Sequence, residues 1–334
     1  MKKMNKTIQK KIENITRYGI GYQLERVLLK FGLKKDLSVR SLQKIQGFYE
    51  KLDSNDYPIY LKKWYLEQSG RELNLENPKR LTEKIQWLKL YDSTEVKTRL
   101  ADKLLVRDWV AEKIGEEYLI PLYGAWDSFG EIDFESLPDS FVLKCNHGCA
   151  MNEIVKDKNA IDKKSLKKKV DRWMETDFAF IAGSFELHYR DIPRKIIAEK
   201  YMKDTKTEDL QDYKFFCFHG KPMYCQVIGS RTTSETIDFF DMDWNHMPFI
   251  GLVKEDSKET NSTEMIPKPQ SFDVMKNSAE ILSEEFTFVR VDFYEINGKM
   301  YFGEMTFTPG SGSGSFRPDE VDFELGKMID LKSC

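Results

Sequence analysis

Long apolar runs are missing from this 334-residue sequence. No stretch approaches the roughly 20 apolar residues that a bilayer span needs. The N-terminus is basic, but no unbroken apolar segment follows it, so no secretory signal is read. Cysteine is scarce: the five residues are odd in number and scattered. That pattern excludes a disulfide framework and points to a reducing cytoplasm. Cys145, His147 and Cys149 sit close together, but no second Cys/His cluster supplies the remaining ligands of a zinc site. A large charge excess is absent too, since the net is only −3, which excludes a general nucleic-acid binder. There is no internal repeat.

What is present suffices for a real core: 40% hydrophobic and 13% aromatic residues. The length allows two or three domains. Charge is unevenly spread. Residues 1–45 hold twelve Lys/Arg against three Asp/Glu, a net of +9, which leaves −12 on the remainder. Ile8, Ile12, Ile15, Tyr18, Tyr22, Leu24, Val27 and Leu28 fall near helical spacing in that basic stretch. It reads either as a helix packed on the body with a solvated face or as a peripheral contact with an anionic membrane.

The most informative stretch runs from Phe286 to Ser315. It reads as strand Phe286–Tyr294, a turn at Asn297-Gly298, strand Met300–Phe307, and a Gly/Ser loop. A strict two-residue turn would pair Asp292 with Gly303 and send Glu304 to the other face. A three-residue loop of Ile296, Asn297 and Gly298 pairs Asp292 with Phe302 and Arg290 with Glu304. Asp292 and Glu304 then lie diagonally, roughly 7–8 Å apart. The second register is expected, because the first leaves two carboxylates with no shared task. Carboxylates so placed can share a Mg²⁺, which takes oxygen ligands at about 2.0–2.1 Å, and Thr306 on the same face could add a hydroxyl. The alternative is a surface hairpin with solvated charges.

Upstream, helices are predicted around Leu42–Leu52, over Pro58–Gln68 and Leu81–Tyr91, and over Val96–Gly115, where Gly115 is a natural stop. Strands follow at Leu119–Tyr123, Ala125–Trp126 and Phe141–Lys144. A helix over Ser165–Asp177 precedes a strand over Lys195–Met202. Tyr213–Phe218 and Pro222–Ile228 form a hairpin over His219-Gly220. Thr236–Phe240 is a strand, residues 253–271 are a loop, and Val274–Glu285 is a helix. The first half is mainly helical and the second largely antiparallel, an α+β layout.

Several residues carry chemistry. Lys144 ends a strand and is followed by the small residues of Cys145-Asn146-His147-Gly148-Cys149-Ala150, which let backbone N–H groups approach phosphate oxygens. Alone, a strand-end lysine is usually just solvated. Glu199 interrupts an apolar strand, in a composition that lines an adenine pocket or marks an edge strand. Lys214 lies among aromatic residues and needs an anionic partner or room to snorkel. Asp241-Met242-Asp243 resembles the metal motif of sugar-nucleotide-dependent glycosyltransferases, a very short pattern.

In order, Lys103 in ADKLLVRDWV, Lys144 in FVLKCNHG, IIAEKYM, DYKFFCFHGKP and VDFYEINGKMYFGEMTFTPGSG resemble the ATP-grasp enzymes, in particular their TupA-like branch from bacterial polysaccharide biosynthesis. The resemblance runs from about Pro78 to Phe316. It implies an ATP-grasp fold, two α+β lobes with antiparallel sheets holding ATP between them. By that likeness the helical region spans residues 1–95, the first lobe 96–200 and the second 201–334. Lys103 and Lys144 hold phosphates, and the loop of Asn146, His147 and Gly148 through Ala150 closes over them. Glu199 and Tyr201 frame the adenine, and Lys214 reaches a phosphate or the ribose. Asp292, Glu304 and Thr306 ligate Mg²⁺, and Arg290 neutralises the transferring phosphoryl group. Thr306 stands where many ATP-grasp enzymes carry Asn, and a Rossmann-like N-terminal lobe is not apparent.

The function so implied is an ATP- and Mg²⁺-dependent carboxylate–amine ligase working through an acyl phosphate. Its partners are a small amine and a sugar carboxylate, free or nucleotide- or lipid-linked, and its place is the cytoplasm. Two alternatives stay open: a glycosyltransferase using Asp241 and Asp243, and a non-catalytic nucleotide-binding partner of polysaccharide assembly.

Overall fold

The computed structural model describes residues 39–204, 211–229, 236–254 and 257–333, together with Asn14 and Leu24. The basic amphipathic reading of the N-terminal stretch falls almost wholly outside these residues. Among the described residues, no helix is long and apolar enough to cross a membrane.

From residue 39 the described chain runs through three helices: α1 Val39–Tyr49, α2 Tyr57–Ser69 and α3 Leu81–Tyr91. Helix α2 has a proline in its first turn and ends at Gly70, whose φ of 69° closes it in the left-handed conformation. Glu83 starts α3: its carboxylate accepts from the backbone N–H of Arg80 at 3.1 Å and of Lys79 at 2.7 Å.

The long helix expected over Val96–Gly115 is broken in two, α4 Glu95–Ala101 and α5 Val106–Lys113. The cause is Asp102. Its Oδ1 accepts from the N–H groups of Leu104 (2.7 Å) and Leu105 (3.2 Å), so the side chain competes with the helical ladder. The break turns Lys103 out of helical register, and its N–H donates to the Asn146 carbonyl at 3.1 Å.

Strands β1 Leu122–Trp126, β2 Phe141–Cys145, β3 Asn152–Val155 and, after helix α6 (Lys163–Met174), β4 Ile196–Lys200 form a four-stranded antiparallel sheet in the order β1-β4-β2-β3. Strands β5 Asp212–Phe218, β6 Lys221–Gly229, β7 Thr236–Phe240 and β8 His246–Met247 join a second sheet, completed after β9 Ile250–Val253 and helix α7 (Phe272–Ser283) by β10 Phe288–Ile296 and β11 Lys299–Thr306. Its order is β11-β10-β5-β6-β7-β8. Strand β12 Ser315–Arg317 pairs with β9, and helix α8 Glu320–Lys327 follows.

The two faces of the larger sheet differ because strand side chains alternate. Phe215, Val289, Val291 and Phe293 join one core with Phe272, Met275, Ala279 and Leu282 of α7. On the opposite face, Phe216, Phe218 and Phe288 form a second core with Leu81, Ile85 and Leu88 of α3. Each fully buried ring or branched side chain there contributes about 1.5–3 kcal/mol. That second face turns from apolar to charged along the strands, ending in Asp212, Lys214, Arg290 and Asp292.

The β10–β11 hairpin corrects the expected register. Its turn has two residues, not three: Ile296 pairs with Lys299. Asn297 (φ 53°) and Gly298 (φ 76°) are both left-handed, which matches the strand twist. The pairing then shifts between Phe293↔Phe302 and Asp292↔Glu304, leaving Gly303 as an extra residue. This bulge returns Glu304 to the face of Asp292. Arg290 is consequently opposite Thr306 rather than Glu304.

Candidate functional site

A cleft lies between the two sheets. Its walls include Lys144 and Glu199 of the smaller sheet, Asp212, Lys214, Asp292 and Glu304 of the larger one, Lys103 from the α4–α5 break, Arg107 in the first turn of α5, Cys149 to Met151 of the loop after β2, and Asn152 at the start of β3. Leu119, Ile120, Tyr294 and Phe302 add apolar surface.

On the larger sheet, Lys214 pairs across with Asp292, and Asp292 with Glu304, so three charged side chains stand in a row over β5, β10 and β11. Lys214 Nζ is 2.6 Å from Asp292 Oδ2 and 3.4 Å from Asp212 Oδ2. These carboxylates are the anionic partners its aromatic setting demands. Arg290 grips Asp292 with two bonds of 2.7 Å from Nε and Nη2. Its Nη2 also reaches Glu304 Oε1 (3.3 Å) and Thr306 Oγ1 (3.2 Å). Thr306 Oγ1 donates to Glu304 Oε1 at 3.0 Å. Burial pushes the Glu304 carboxyl up, but Lys103, Arg290 and Lys214 outweigh it and hold it at about 2. Glu304 is therefore ionised at neutral pH.

On the smaller sheet, Lys144 and Glu199 share a face and pair at 2.6 Å. Arg107 Nη1 lies 3.5 Å from the other Glu199 oxygen. Lys103 Nζ donates to the Gly148 carbonyl at 2.6 Å and sits 3.6 Å from Glu304 Oε2. Lys103 thus connects the loop of one sheet to the carboxylate of the other. Ala150, in that loop, has φ 56°, a conformation that a residue with a Cβ rarely adopts.

The structure brings Lys103, Lys144, Glu199, Lys214, Arg290, Asp292, Glu304 and Thr306 together. It turns other expected residues elsewhere. Asn146 is fully enclosed and staples the loop: Nδ2 donates to the Pro193 carbonyl (2.9 Å), and Oδ1 accepts from Lys195 N–H (2.7 Å). His147 is buried, with Nε2 3.1 Å from the Trp173 carbonyl. Burial, with Arg194 next, lowers its pKa to about 4, so the ring is neutral. These two side chains are engaged away from the cleft, so what Asn146 to Gly148 can offer a phosphate is backbone. Tyr201 follows β4, half-buried, and does not line the cleft.

Cys145 is buried against Met174, with sulfurs 3.7 Å apart, while Cys149 faces the cleft. The Cys145, His147 and Cys149 side chains therefore go separate ways and form no zinc site. Asp241 caps its own turn, accepting from Asp243 N–H (2.9 Å), Asn245 N–H (2.8 Å) and Asn245 Nδ2 (2.9 Å). Asp241 and Asp243 line a separate surface groove with Met223, Met242 and Lys276.

Sequence reasoning missed Arg107 and Asp212. A signal existed for Asp212, which lies two residues before Lys214 and so on the same strand face. Arg107 gave none, because the helix break that brings it to Glu199 was not foreseen.

Two opposed antiparallel sheets with a lysine-rich cleft between them are the ATP-grasp architecture. Within that class the chain belongs to the TupA-like ATP-grasp family, whose sequence model matches residues 83–330. No curated protein matches the chain. Among solved structures it is similar to the D-alanine–D-alanine ligase of Bacillus anthracis in complex with ATP, at 16% identity over 64% of this chain and 55% of that one, with a TM-score of 0.35. The D-alanine–D-alanine ligase of Helicobacter pylori gives 13% over 69% and 56%, TM-score 0.37. The L-amino acid ligase of Bacillus licheniformis gives 13% over 63% and 44%, TM-score 0.37. The chain spans about half the length of these proteins.

The donor set fits Mg²⁺. It is all oxygen, one carboxylate is held ionised, and the two carboxylates are directly opposed. Among the described residues, no group of three or more His, Cys, Asp or Glu side chains is arranged to hold a metal. Two carboxylates and a hydroxyl suit an ion that keeps several waters and draws its other ligands from substrate phosphates.

Proposed function

We propose that this protein is an ATP- and Mg²⁺-dependent carboxylate–amine ligase, joining an amine to a sugar carboxylate, such as a uronic acid, in bacterial surface polysaccharide biosynthesis. The observation that carries this reading is the row Lys214–Asp292–Glu304 facing Lys103 and Lys144 across one cleft. Family membership supports the ATP chemistry. The sugar acid, free or nucleotide- or lipid-linked, rests on the polysaccharide setting of that family.

Phosphoryl transfer asks a protein for positioning and charge stabilisation more than for acid–base groups. Five cations and few acid–base candidates match that demand. Asp292, Glu304 and Thr306 would hold Mg²⁺, which when bound would offset the negative charge of the phosphates. Lys103, Lys144 and Lys214 bind and orient the triphosphate. Arg290 holds both carboxylates in place and presents its charge where the γ-phosphoryl group departs. Glu199 flanks the base beside Ile120 and Tyr294. A carboxylate oxygen attacks the γ-phosphorus, the bond to the β-phosphate oxygen breaks, and ADP leaves. The amine then attacks the acyl carbon, loses a proton and expels phosphate. Backbone at residues 148–150 and the Lys103–Gly148 bond shield that acyl phosphate from water.

Incubation with ATP, Mg²⁺, an amine and a uronic acid tests the reading. ADP release that depends on both amine and acid is expected. Sugar transfer from a nucleotide sugar without ADP release would overturn it.

A further inference from the structure

The helical N-terminal region reaches the turn that follows β11. Gln86 and Lys89 lie three residues apart on α3, so they share a face. Both are fully enclosed. Simple docking of a helix calls for apolar residues there, and burying an ammonium is costly. The bonds show where these groups are engaged. Lys89 Nζ donates to the Ser311 carbonyl (2.7 Å), Ser311 Oγ (2.9 Å), the Ser184 carbonyl (3.0 Å) and Gln86 Oε1 (3.0 Å). It sits 4.4 Å from the centre of the Trp64 ring. Gln86 Nε2 donates to the carbonyls of Ser311 (3.1 Å) and Gly312 (2.7 Å).

Glu186 holds the same turn from the other side. Its carboxylate accepts from Ser311 Oγ at 2.9 Å and from Thr308 Oγ1. The turn needs holding: Gly310, Ser311 and Gly312 have φ of 57°, 52° and 59°, and Ser311 carries a Cβ in that left-handed region. The turn begins two residues beyond Thr306, the last residue of β11.

We propose that Lys89, with Gln86 and Glu186, is a positioning residue for the metal-bearing end of β11. By clamping residues 308–312 it keeps Glu304 and Thr306 in place opposite Asp292 and Arg290. The inference rests on the reading of Asp292 and Glu304 as Mg²⁺ ligands.

Lys89→Met keeps the volume and removes the charge, and Ser311→Gly relieves the backbone while removing the shared hydroxyl. In both, amide hydrogen exchange across residues 304–312 is expected to quicken at least tenfold. Mn²⁺ binding, read by electron paramagnetic resonance, is expected to weaken five- to tenfold. ATP binding measured in EDTA should stay within twofold of the parent protein. If both variants melt earlier yet keep parental exchange at 304–312 and parental Mn²⁺ binding, Lys89 is merely structural and the inference fails. Glu304→Gln is the separate control. Unchanged Mn²⁺ binding in that variant would remove the metal assignment itself.

Discussion

Asp292 stands directly across from Glu304 on neighbouring strands, and Gly303 is the residue that puts it there. The two-residue turn alone would have opposed Asp292 to Gly303 and sent Glu304 to the far face. One unpaired residue restores the match, and both carboxylates line the cleft with Lys103 and Lys144.

Gly303 is therefore a sharp point of attack. A Cβ there would lie 3.0 Å from the Asp292 carbonyl oxygen and 3.2 Å from Tyr294 Cε2. Gly303→Val is expected to cost roughly 1–3 kcal/mol by overpacking, and to cut Mg²⁺-dependent ATP consumption by more than that loss of stability explains. Urea unfolding beside an ADP-release assay checks both.

Glu304→Gln removes one carboxylate while keeping its shape. The side chain is about a third exposed, so the fold is expected to persist with a melting temperature near the parent's. ADP release is expected to disappear. Full activity would contradict the assignment.

Asn146→Ala removes a fully enclosed side chain and leaves the Pro193 carbonyl and the Lys195 N–H without their partner. The expected cost is about 1–3 kcal/mol, measured by denaturant unfolding. ATP affinity is expected to fall several-fold as well, because Asn146 anchors the loop on which Lys103 rests.

Stability is expected to rise from about pH 5 to about pH 8.5. Burial, with smaller contributions from nearby cations, lowers His147 to about 4 and His188 to about 3. Between those values and 6.5 the unfolded chain binds protons that the folded chain does not, so acid destabilises. Burial, only partly opposed by Glu186, lowers Lys89 to about 7 from 10.5, which extends the rise above neutrality. Above about pH 9 the buried thiols Cys145 and Cys217, pushed up to about 12, reverse it. Melting scans across this range check the trend, and Lys89→Met should flatten the segment above pH 7.

Much of the fold was legible in residues. Apolar spacing located α3 and β7 to the residue, and Asn297-Gly298 marked the hairpin turn. Gly/Pro punctuation did not reveal β3, β8, β9 or β12, which are two to four residues long, too short for apolar spacing to mark; β9 and β12 moreover pair only with each other, about 60 residues apart. Asp102 read as part of a helix because its side-chain bonds to the N–H groups of Leu104 and Leu105 leave no mark in the apolar spacing of that stretch. The bulge was hidden for a related reason: glycine announces freedom, not register. Lys89 and Glu186 were invisible as site residues, since their meeting on one turn depends on segments about 100 and 125 residues apart in the chain.

The pairing of every cleft cation with a carboxylate has a further effect. Lys103, Arg107, Lys144, Lys214 and Arg290 each have an acidic oxygen between 2.6 and 3.6 Å away. A bare anion must break these contacts before making its own, whereas a nucleotide escorted by a divalent ion brings a replacement cation for the carboxylates the lysines abandon. Mg²⁺ and ATP should consequently raise each other's affinity by the same factor, while free sulfate gains little purchase. Calorimetric titrations of ATP with and without Mg²⁺, and of sulfate alone, would show this selectivity as a property of a cleft that is already its own salt.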